Sequence, residues 1–519
     1  MKSLAAPAVP DGPVLRDYLW AALARHGQRR ALVADGREWT FAELAGAARS
    51  VAGHLKDRGI TASDPVAIIL RNSAEYVVAD LAIALLGAAK VPLNLMLSDE
   101  EQAYIVADSG ARLCIVEAGR VVAVEQARAS GADPQVLVNG GDGPGTWAAA
   151  LAHPPLKDEP DVPADALALI MYTGGTTGRP KGVLHTQRGI AANLLSHVLE
   201  MEVVADDVLL LTSPLAHSAG FLLQAALTKG ATVFVEDGFD VDLVVDRIAN
   251  DGASYLFLVP TMIYRLLDAA AARSHVSPLE TSSLRTILYG AAPITTERLQ
   301  QGLRMFGPVF VQLYAQSEAP NFLTRLRRDD HRLDGDLTRL SSCGQSVVMA
   351  QVVVRREDGT PCEAGEVGEV TAMSPYTMVG YLNRDAETAE ALRDGWLHTS
   401  DIGYLDEAGY LFLLDRKKDM IITGGLNVYS TEVEQAMARL DGVAQVAVTG
   451  VPDPDWGEAV IAFVVPDGPD VTADGVRAGA RELLTTYKRP KEVHLVEQLP
   501  VTAVGKTDKL ALRRQWEQK

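Results

Sequence analysis

The chain has 519 residues, 48% of them hydrophobic, and a formal net charge of -19. That length exceeds one ordinary domain and supplies ample core, and the hydrophobic content is that of a globular protein. So acidic a chain is a poor partner for nucleic acid or an anionic membrane, and an anionic ligand has to be drawn in by local positive charge. Basic clusters occur at Arg327-Arg328, Arg416-Lys417-Lys418, Lys488-Arg489 with Lys491, and Arg513-Arg514. The first and last read as solvated surface. Cys114, Cys343 and Cys362 form no CxxC pair, and three is an odd number for a disulfide framework, so a reducing, cytoplasmic compartment is expected. Prolines and Asp11 stand where a signal peptide needs an apolar run. The most apolar stretch, Leu81 to Ala89, is too short to span a bilayer, so no stable membrane insertion is expected.

In chain order, FAELAGAARSVAGHLKDRG (41–59) repeats apolar residues at helical spacing and stops at Gly59. PVAIIL (65–70) is a short apolar run that predicts a buried strand. YVVADLAIALLGAAK (76–90) reads as helix, VPLN (91–94) as strand, and Ser98 with Glu101 has capping-box spacing for the next helix. RLCIVE (112–117) is another strand. This alternation predicts an α/β fold with largely parallel sheets. Residues 140–163, rich in Gly, Pro, Asp and Ala, read as a surface connection leading to the strand ALALIMYT (166–173). The GDGPG within that connection opens no helix and is discounted as a dinucleotide motif. GYLFLLD (409–415) reads as a strand and RKKD as a charged turn. A boundary after Asp415 is therefore expected, with a large N-terminal domain over 1–415 and a small, mobile α+β domain over 416–519. Within the latter, Thr431 and Glu434 predict a capping box for TEVEQAMARL. VAQVAVTGV (443–451) and AVIAFVV (459–465) predict strands, and RAGARELLTTY (477–487) a helix.

MYTGGTTGRPKGV (171–183) is built to hold phosphate. Gly174, Gly175 and Gly178 let the backbone turn so that successive N–H groups face one anion. Thr173, Thr176 and Thr177 add hydroxyl donors, and Lys181 adds a charge. The alternative is a plain glycine-rich turn. A Walker A loop is excluded, because Lys181 follows Pro180 and precedes Gly182.

This loop resembles the phosphate loop of the acyl-adenylate-forming enzymes. Further motifs of that family appear in order: VPLN at Val91, SPLAHSAGF at Ser213, YGAAP at Tyr289 and YAQSE at Tyr314. GWLHTSDIGYLDEAGYLFLLDRKKDMIITGGLNVYSTEVE follows from Gly395, and PVTAVGKTDK from Pro500. The resemblance implies a two-step, AMP-forming reaction. A carboxylate attacks the α-phosphate of Mg-ATP to give an acyl-adenylate and pyrophosphate, and a thiol, usually that of coenzyme A, then displaces AMP. It implies that the loop residues Thr173 to Lys181 hold the β- and γ-phosphates and that Glu318 binds Mg2+. Gly290, Ala291, Ala292, Gln312, Tyr314, Ala315 and Ser317 would surround the nucleotide, with Tyr314 stacking on adenine. Asp401 would bind the ribose hydroxyls, Arg416 would be its cationic partner, and Lys418 would be the hinge. Lys506 would bridge carboxylate and α-phosphate as charge builds. Gly424 and Gly425 would line a passage for pantetheine after the small domain rotates.

His217 matches the family position between the adenylate and the acyl pocket. The expected pocket walls are His217, Gly220, Phe221, Val259, Gly290, Ala291, Ala315 and Gln316. Most are small or apolar, which points to a bulky hydrophobic acid, whether aryl, alicyclic or fatty. SPLAHSAGF has no aspartate to pair with an amino group, which argues against an amino-acid substrate. Departures from the family pattern are Gly174 for serine, Ala315 for glycine, Ser317 for threonine, and Leu426 and Ser430 in the GGLNVYS loop. The expected partners are a small carboxylic acid, ATP and coenzyme A, with a carrier-protein phosphopantetheine as the alternative acceptor. Monomer and homodimer both stay open. A non-catalytic relative would be expected to have lost reactive positions, but Lys181, Glu318, Asp401, Arg416 and Lys506 are all present.

Overall fold

The computed structural model describes residues 12–173, 179–273, 281–501 and 507–518. The chain separates into two compact units. One holds the residues up to Leu340 with Ser346–Gln351 and Met373–Leu397; the other holds Ser341–Gln345, Val352–Ala372 and the chain from His398 onward.

The first unit is built on two sheets. In one, the strands Phe310–Gln316, Thr286–Tyr289, Tyr255–Leu258, Val208–Leu211, Thr232–Val235 and Arg30–Ala34 lie side by side and parallel. Antiparallel strands Ala319–Leu326 and Arg37–Thr40 flank them. In the other, Gln135–Asn139, Leu113–Glu117, Pro65–Ile69, Ala89–Pro92 and Leu167–Thr173 are parallel. Lys181–Thr186 and then Gly380–Tyr381 follow antiparallel. Unalternating apolar runs such as Tyr255–Leu258 are buried along their whole length, as parallel strands covered on both faces require.

Helices form where the caps predict. Thr40 and Glu43 cap Phe41–Asp57 reciprocally, and Ser98 and Glu101 do the same for Asp99–Asp108. Ala74–Leu86, buried throughout, starts at the Ser73 cap and ends at Gly87, whose positive φ (68°) suits only glycine against the packed Val162. The connection 140–163 is more than surface chain. It contains the helix Trp147–Leu151, which buries Trp147 and packs on Phe41–Asp57.

In the second unit, Leu411–Arg416 pairs antiparallel with Trp396–Leu405 in one sheet, beside Gly368–Met373 and Gln351–Arg355. The other sheet runs Leu426–Val428, Ile421–Thr423, Gly457–Pro466 and Val443–Asp453, with Glu492–Leu495 parallel to Gly457–Pro466. Both sheets contain antiparallel pairs, so the largely parallel architecture belongs to the first unit. The expected boundary after Asp415 lies inside this second compact unit.

Two local expectations are corrected here. The helix predicted from Thr431 is Ser430–Met437 and begins one residue earlier, so Glu434 faces inward instead of closing a capping box; it accepts from the Val448 N–H (2.8 Å). The helix predicted over 477–487 is Ala473–Leu483, capped by Thr472.

Among the described residues, His185, His197 and His331 are deeply buried in the first unit as neutral rings. His331 donates from Nδ1 to the Arg327 carbonyl (2.8 Å), and its Nε2 accepts from the Tyr289 hydroxyl (3.0 Å). Burial pushes His185, His197 and His331 each down from 6.5 to about 4. A folded value below the unfolded one means that the unfolded chain binds more protons between these limits. Stability is therefore complete above pH 6.5 and is lost as pH falls toward 4, at up to about 1.4 kcal/mol per pH unit for each ring. Denaturant midpoints measured from pH 7 to pH 4 should fall across that window, and His331→Gln should flatten the slope. An unchanged slope in that variant would remove His331 from the account.

Candidate active site

Both sheets of the first unit turn the C-terminal ends of their parallel strands toward the expected site residues, as ligand sites in α/β sheets do. The strand Leu167–Thr173 ends at the phosphate loop, and Lys181–Thr186 returns antiparallel with Lys181 opposite Thr173. The loop residues Gly174, Gly175, Thr176, Thr177 and Gly178 lie outside the described residues. The loop's base is braced from below. Tyr104 donates to the Pro180 carbonyl (3.3 Å), and the Arg179 guanidinium lies 5.1 Å from the Tyr104 ring. Tyr172 donates to Asp108 (2.7 Å). Gly182 lies so near Ile170 and Tyr172 that a Cβ would come within 3.0 and 3.1 Å of them, which keeps the residue beside Lys181 small.

Glu318 occupies a tight turn. Gln316 and Ala319 pair across the hairpin, Ser317 and Glu318 form its tip, and the register shifts between Tyr314 and Gln316, at Ala315. Three groups from the other sheet and its following loop hold this tip. His185 Nε2 donates to the Ser317 carbonyl (2.8 Å), Met378 N–H donates to the Glu318 carbonyl (2.7 Å), and the Tyr381 hydroxyl donates to Glu318 Oε1 (2.8 Å). Lys181 Nζ lies 4.9 Å from the centre of the same Tyr381 ring. Among the described residues no group of three or more His, Cys, Asp or Glu could hold a metal ion. A single carboxylate beside a phosphate loop fits magnesium, which keeps several waters and shares its remaining positions with phosphate oxygens.

The nucleotide-side residues follow two neighbouring strands. Tyr289 pairs with Gln312. Gly290 lies against the next strand, where a Cβ would meet the Leu313 carbonyl at 2.6 Å. Ala291 adopts a left-handed φ of 66°, and strain at a non-glycine residue suits a ligand-facing turn. Ala292 follows in that turn. Gln312 and Tyr314 are buried, whereas Ala315, Gln316, Ser317 and Glu318 are partly exposed.

On the acyl side, His217 precedes the helix Ser218–Lys229. The Asn94 amide, whose Oδ1 already accepts from Met96 N–H (2.9 Å), donates from Nδ2 to His217 Nε2 (3.2 Å). Buried Asn72 anchors the loop before His217. Its amide donates to the Ser213 and Glu236 carbonyls (2.9 and 3.0 Å) and accepts from Leu215 N–H (2.9 Å). Gly220 packs on the Leu215 carbonyl, leaving no room for a side chain. Phe221 is buried and stacks on His197, with ring centroids 5.8 Å apart. Val259, partly exposed, joins the strand Tyr255–Leu258 to the helix Pro260–Arg273. Sequence reasoning assigned no role to Tyr381, Asn94 or His185. Asn94 is the last residue of the VPLN motif, and that was its only signal.

In the second unit, Asp401 and Arg416 are cross-strand partners, with Nε 3.2 Å from Oδ1. Lys418 lies in the turn that follows, where the Arg416 carbonyl accepts from Asp419 and Met420. Gly424 and Gly425 form a two-residue hairpin tip with φ of 59° and 78°, and a Cβ on Gly424 would strike the Trp456 ring. Lys506 lies outside the described residues, but Lys509 beyond it is placed. Its ammonium pairs with Glu434 (2.8 Å) and donates to Ser430 Oγ (2.6 Å), which in turn donates to Asp415 (2.7 Å). Ser430, one of the departures from the family pattern, thus joins the expected boundary to the segment after Lys506.

Residues 19–382 match the model of the AMP-binding enzyme family, and 432–506 match that of its C-terminal domain. This chain belongs to the AMP-binding enzyme family. Among curated relatives, this AMP-binding enzyme is 35% identical to the medium/long-chain-fatty-acid–CoA ligase FadD8 of Mycobacterium tuberculosis, over 96% of this chain and 90% of that one. It is also 35% identical to a feruloyl-CoA synthase of an Amycolatopsis species, over 96% of each. Among solved structures, it matches the amide bond synthetase McbA of Marinactinospora thermotolerans with a TM-score of 0.87 and 32% identity, covering 97% of this chain and 99% of that one.

The Lys509 cluster yields a stability prediction. Glu434 and Lys509 are partly buried, their side chains 20% and 21% exposed, so removing one partner costs less than the about 3–5 kcal/mol of a fully buried pair. Lys509→Met should lower the denaturation midpoint of this AMP-binding enzyme by a corresponding amount, and adding Glu434→Gln should recover part of the loss. Equal losses in the single and double variants would show that the stranded charge is not the cause.

Proposed function

We propose that this AMP-binding enzyme is an AMP-forming acyl-CoA ligase acting on a bulky hydrophobic carboxylic acid. One observation carries the reading: Lys181 of the phosphate hairpin and Glu318 of the adjacent sheet converge on one side chain, Tyr381, at the C-terminal ends of both sheets. A phosphate-binding cation and a metal-binding carboxylate are thereby held side by side.

The carboxylate oxygen of the acid attacks the α-phosphorus of ATP, the bond to the bridging oxygen breaks, and pyrophosphate leaves. Lys181 and the loop N–H groups hold the β- and γ-phosphates as charge develops there. Glu318 would hold Mg2+, which supplies charge neutralisation at the phosphates when bound. Asp401 and Arg416 bind the ribose. Lys506, assigned from the VGKTDK motif, spans the incoming carboxylate and the α-phosphate. In the second step the coenzyme A sulfur attacks the acyl carbonyl, loses its proton, and expels AMP. Between the steps the segment beyond Asp415 turns about Lys418, withdrawing Lys506 and presenting Gly424 and Gly425 to the pantetheine arm. His217, oriented by Asn94, separates the adenylate from an acyl pocket walled by Gly220, Val259, Gly290, Ala291, Ala315 and Gln316. Curated relatives act on acids of both fatty and aryl type, and the small pocket residues suit that range. Among the described residues no helix is long and apolar enough to cross a membrane, and we place the enzyme in the cytoplasm, where ATP and coenzyme A are at hand.

Mass spectrometry of products from Mg-ATP and a panel of benzoates, cinnamates, polycyclic acids and fatty acids tests this reading. Acyl-CoA and AMP are expected, and only when coenzyme A is present. An amine arm is included because McbA is named for amide bond synthesis. Accumulation of acyl-AMP with coenzyme A present, or an amide in the amine arm alone, would replace the thiol acceptor. Lys506→Ala should cut acid-dependent ATP–pyrophosphate exchange by on the order of 10²–10³. It should still form acyl-CoA from preformed acyl-adenylate, and loss of both half-reactions would overturn the assignment.

A further inference from the structure

Tyr381 lies outside the motifs quoted from the sequence, yet it meets two of the groups on which the first half-reaction depends. It sits on the short strand Gly380–Tyr381, opposite Val183 on the strand that begins with Lys181. Its backbone is pinned on several sides. Tyr381 N–H donates to Thr388 Oγ1 (2.9 Å), Val379 N–H to the Leu184 carbonyl (2.9 Å), and Leu382 N–H to the Gly182 carbonyl (2.8 Å). From this fixed base the side chain crosses to the hairpin tip of the other sheet. Its hydroxyl donates to Glu318 Oε1 and its ring lies against the Lys181 ammonium.

We propose that Tyr381 is a positioning residue for metal-nucleotide binding, using its hydroxyl to aim the Glu318 carboxylate at the metal and its ring to hold the Lys181 ammonium at the phosphates. This deepens the reading above and rests on Glu318 as the metal carboxylate. A carboxylate has about four lone-pair sites, so one donated hydrogen bond leaves acceptor capacity for a cation. That bond fixes the rotation of a flexible side chain, as outer partners of metal ligands do. The two functions lie on different atoms of one side chain and can be separated. Tyr381→Phe keeps the ring against Lys181 and removes only the hydroxyl, whereas Tyr381→Leu removes both.

The test is Mn2+ binding to the full-length enzyme in the presence of ATP and without any acid, read by electron paramagnetic resonance. Tyr381→Phe should weaken Mn2+ binding by about 10-fold or more, the size of a hydrogen bond to a charged group. Its melting temperature should stay close to that of the parent, since Phe fills the same space. Tyr381→Leu should in addition weaken metal-free ATP binding, which Tyr381→Phe should not. Glu318→Gln should weaken Mn2+ binding at least as much as Tyr381→Phe, and the double variant should be no weaker than Glu318→Gln alone. Parental Mn2+ affinity in Tyr381→Phe, or losses that multiply in the double variant, would overturn the positioning role while leaving Glu318 as the metal carboxylate. Parental affinity in Glu318→Gln would overturn the assignment of the carboxylate itself.

Discussion

The hydrogen bond from His185 Nε2 to the Ser317 carbonyl joins the two sheets of the first unit at the point where the chemistry is placed. His185 and Lys181 are four residues apart on one strand, so their side chains leave the same face about 13 Å apart. A single strand therefore delivers a cation to the phosphate loop and a donor to the turn that carries Glu318. Any slip of this strand against the other sheet would displace both at once. Burial keeps the ring neutral by lowering its pKa to about 4, and its Nε2–H tautomer donates the bond. The same device recurs beside it. His197 donates from Nδ1 to the Asn193 carbonyl (2.6 Å) and accepts at Nε2 from Asn321 (2.9 Å), while Asn193 donates to the Pro320 carbonyl (2.8 Å). Asn321 holds a left-handed φ of 66°, a conformation that asparagine tolerates better than most residues. The bonds that are made help fix one alignment of the sheets; a buried polar group left unmatched costs about 1–3 kcal/mol.

The second unit solves a related problem with charge. Asp415, Ser430, Lys509 and Glu434 form a continuous chain of contacts from the expected boundary to the helix that follows the Lys506 segment. An apolar cluster of the same volume would serve stability as well or better. What the ionic chain adds is direction, because each oxygen accepts from, and each ammonium proton donates to, only particular partners. Ser430 contributes a backbone N–H and a hydroxyl to Asp415, and proline at this position would offer neither. The departure from the family pattern at Ser430 therefore links the turn bearing Lys418 to Lys509, three residues beyond Lys506.

Much of this was legible in the sequence where the determinants are local. Apolar runs without alternation marked the parallel strands, serine and threonine caps marked helix starts, and the ordered motifs singled out Lys181, His217, Glu318, Asp401 and Arg416 as candidate site residues. The failures share a cause. Thr431 and Glu434 have capping-box spacing, but Glu434 answers instead to Lys509 and to Val448, partners remote in sequence. Trp147 lies in a stretch whose composition is that of a loop, and its burial depends on the helix Phe41–Asp57. Tyr381, Asn94 and His185 act across a sheet-to-sheet seam that no periodicity encodes. The phosphate-loop reading rests on glycine density and hydroxyl donors, a local requirement of anion binding, whereas the residues that brace the loop's base are defined only once the sheet and its helices are assembled.

The two sides of the site are also held differently. Glu318 is fixed by groups that reach over from the opposite sheet, and Lys181 lies against the Tyr381 ring of its own sheet, so a substitution at Glu318 or its partners disturbs the alignment of the two sheets. Gly220 and Val259 belong to the start of a helix and to a strand end that leads into one, and Gly290 meets a neighbouring strand through its backbone. Side chains there can be exchanged without breaking the hydrogen bonds of the seam, within the limit set by close backbone contacts at Gly220 and Gly290. A phosphate side that is rigid and an acyl side that is separately adjustable explain how relatives named for a medium- or long-chain fatty acid and for ferulate stand at the same 35% identity to this chain. Overall identity is counted over the whole chain, and it carries little information about a few side chains in one pocket. In such a site the acid is discriminated where a methyl group alters pocket volume, and not by the scaffold that presents the pocket.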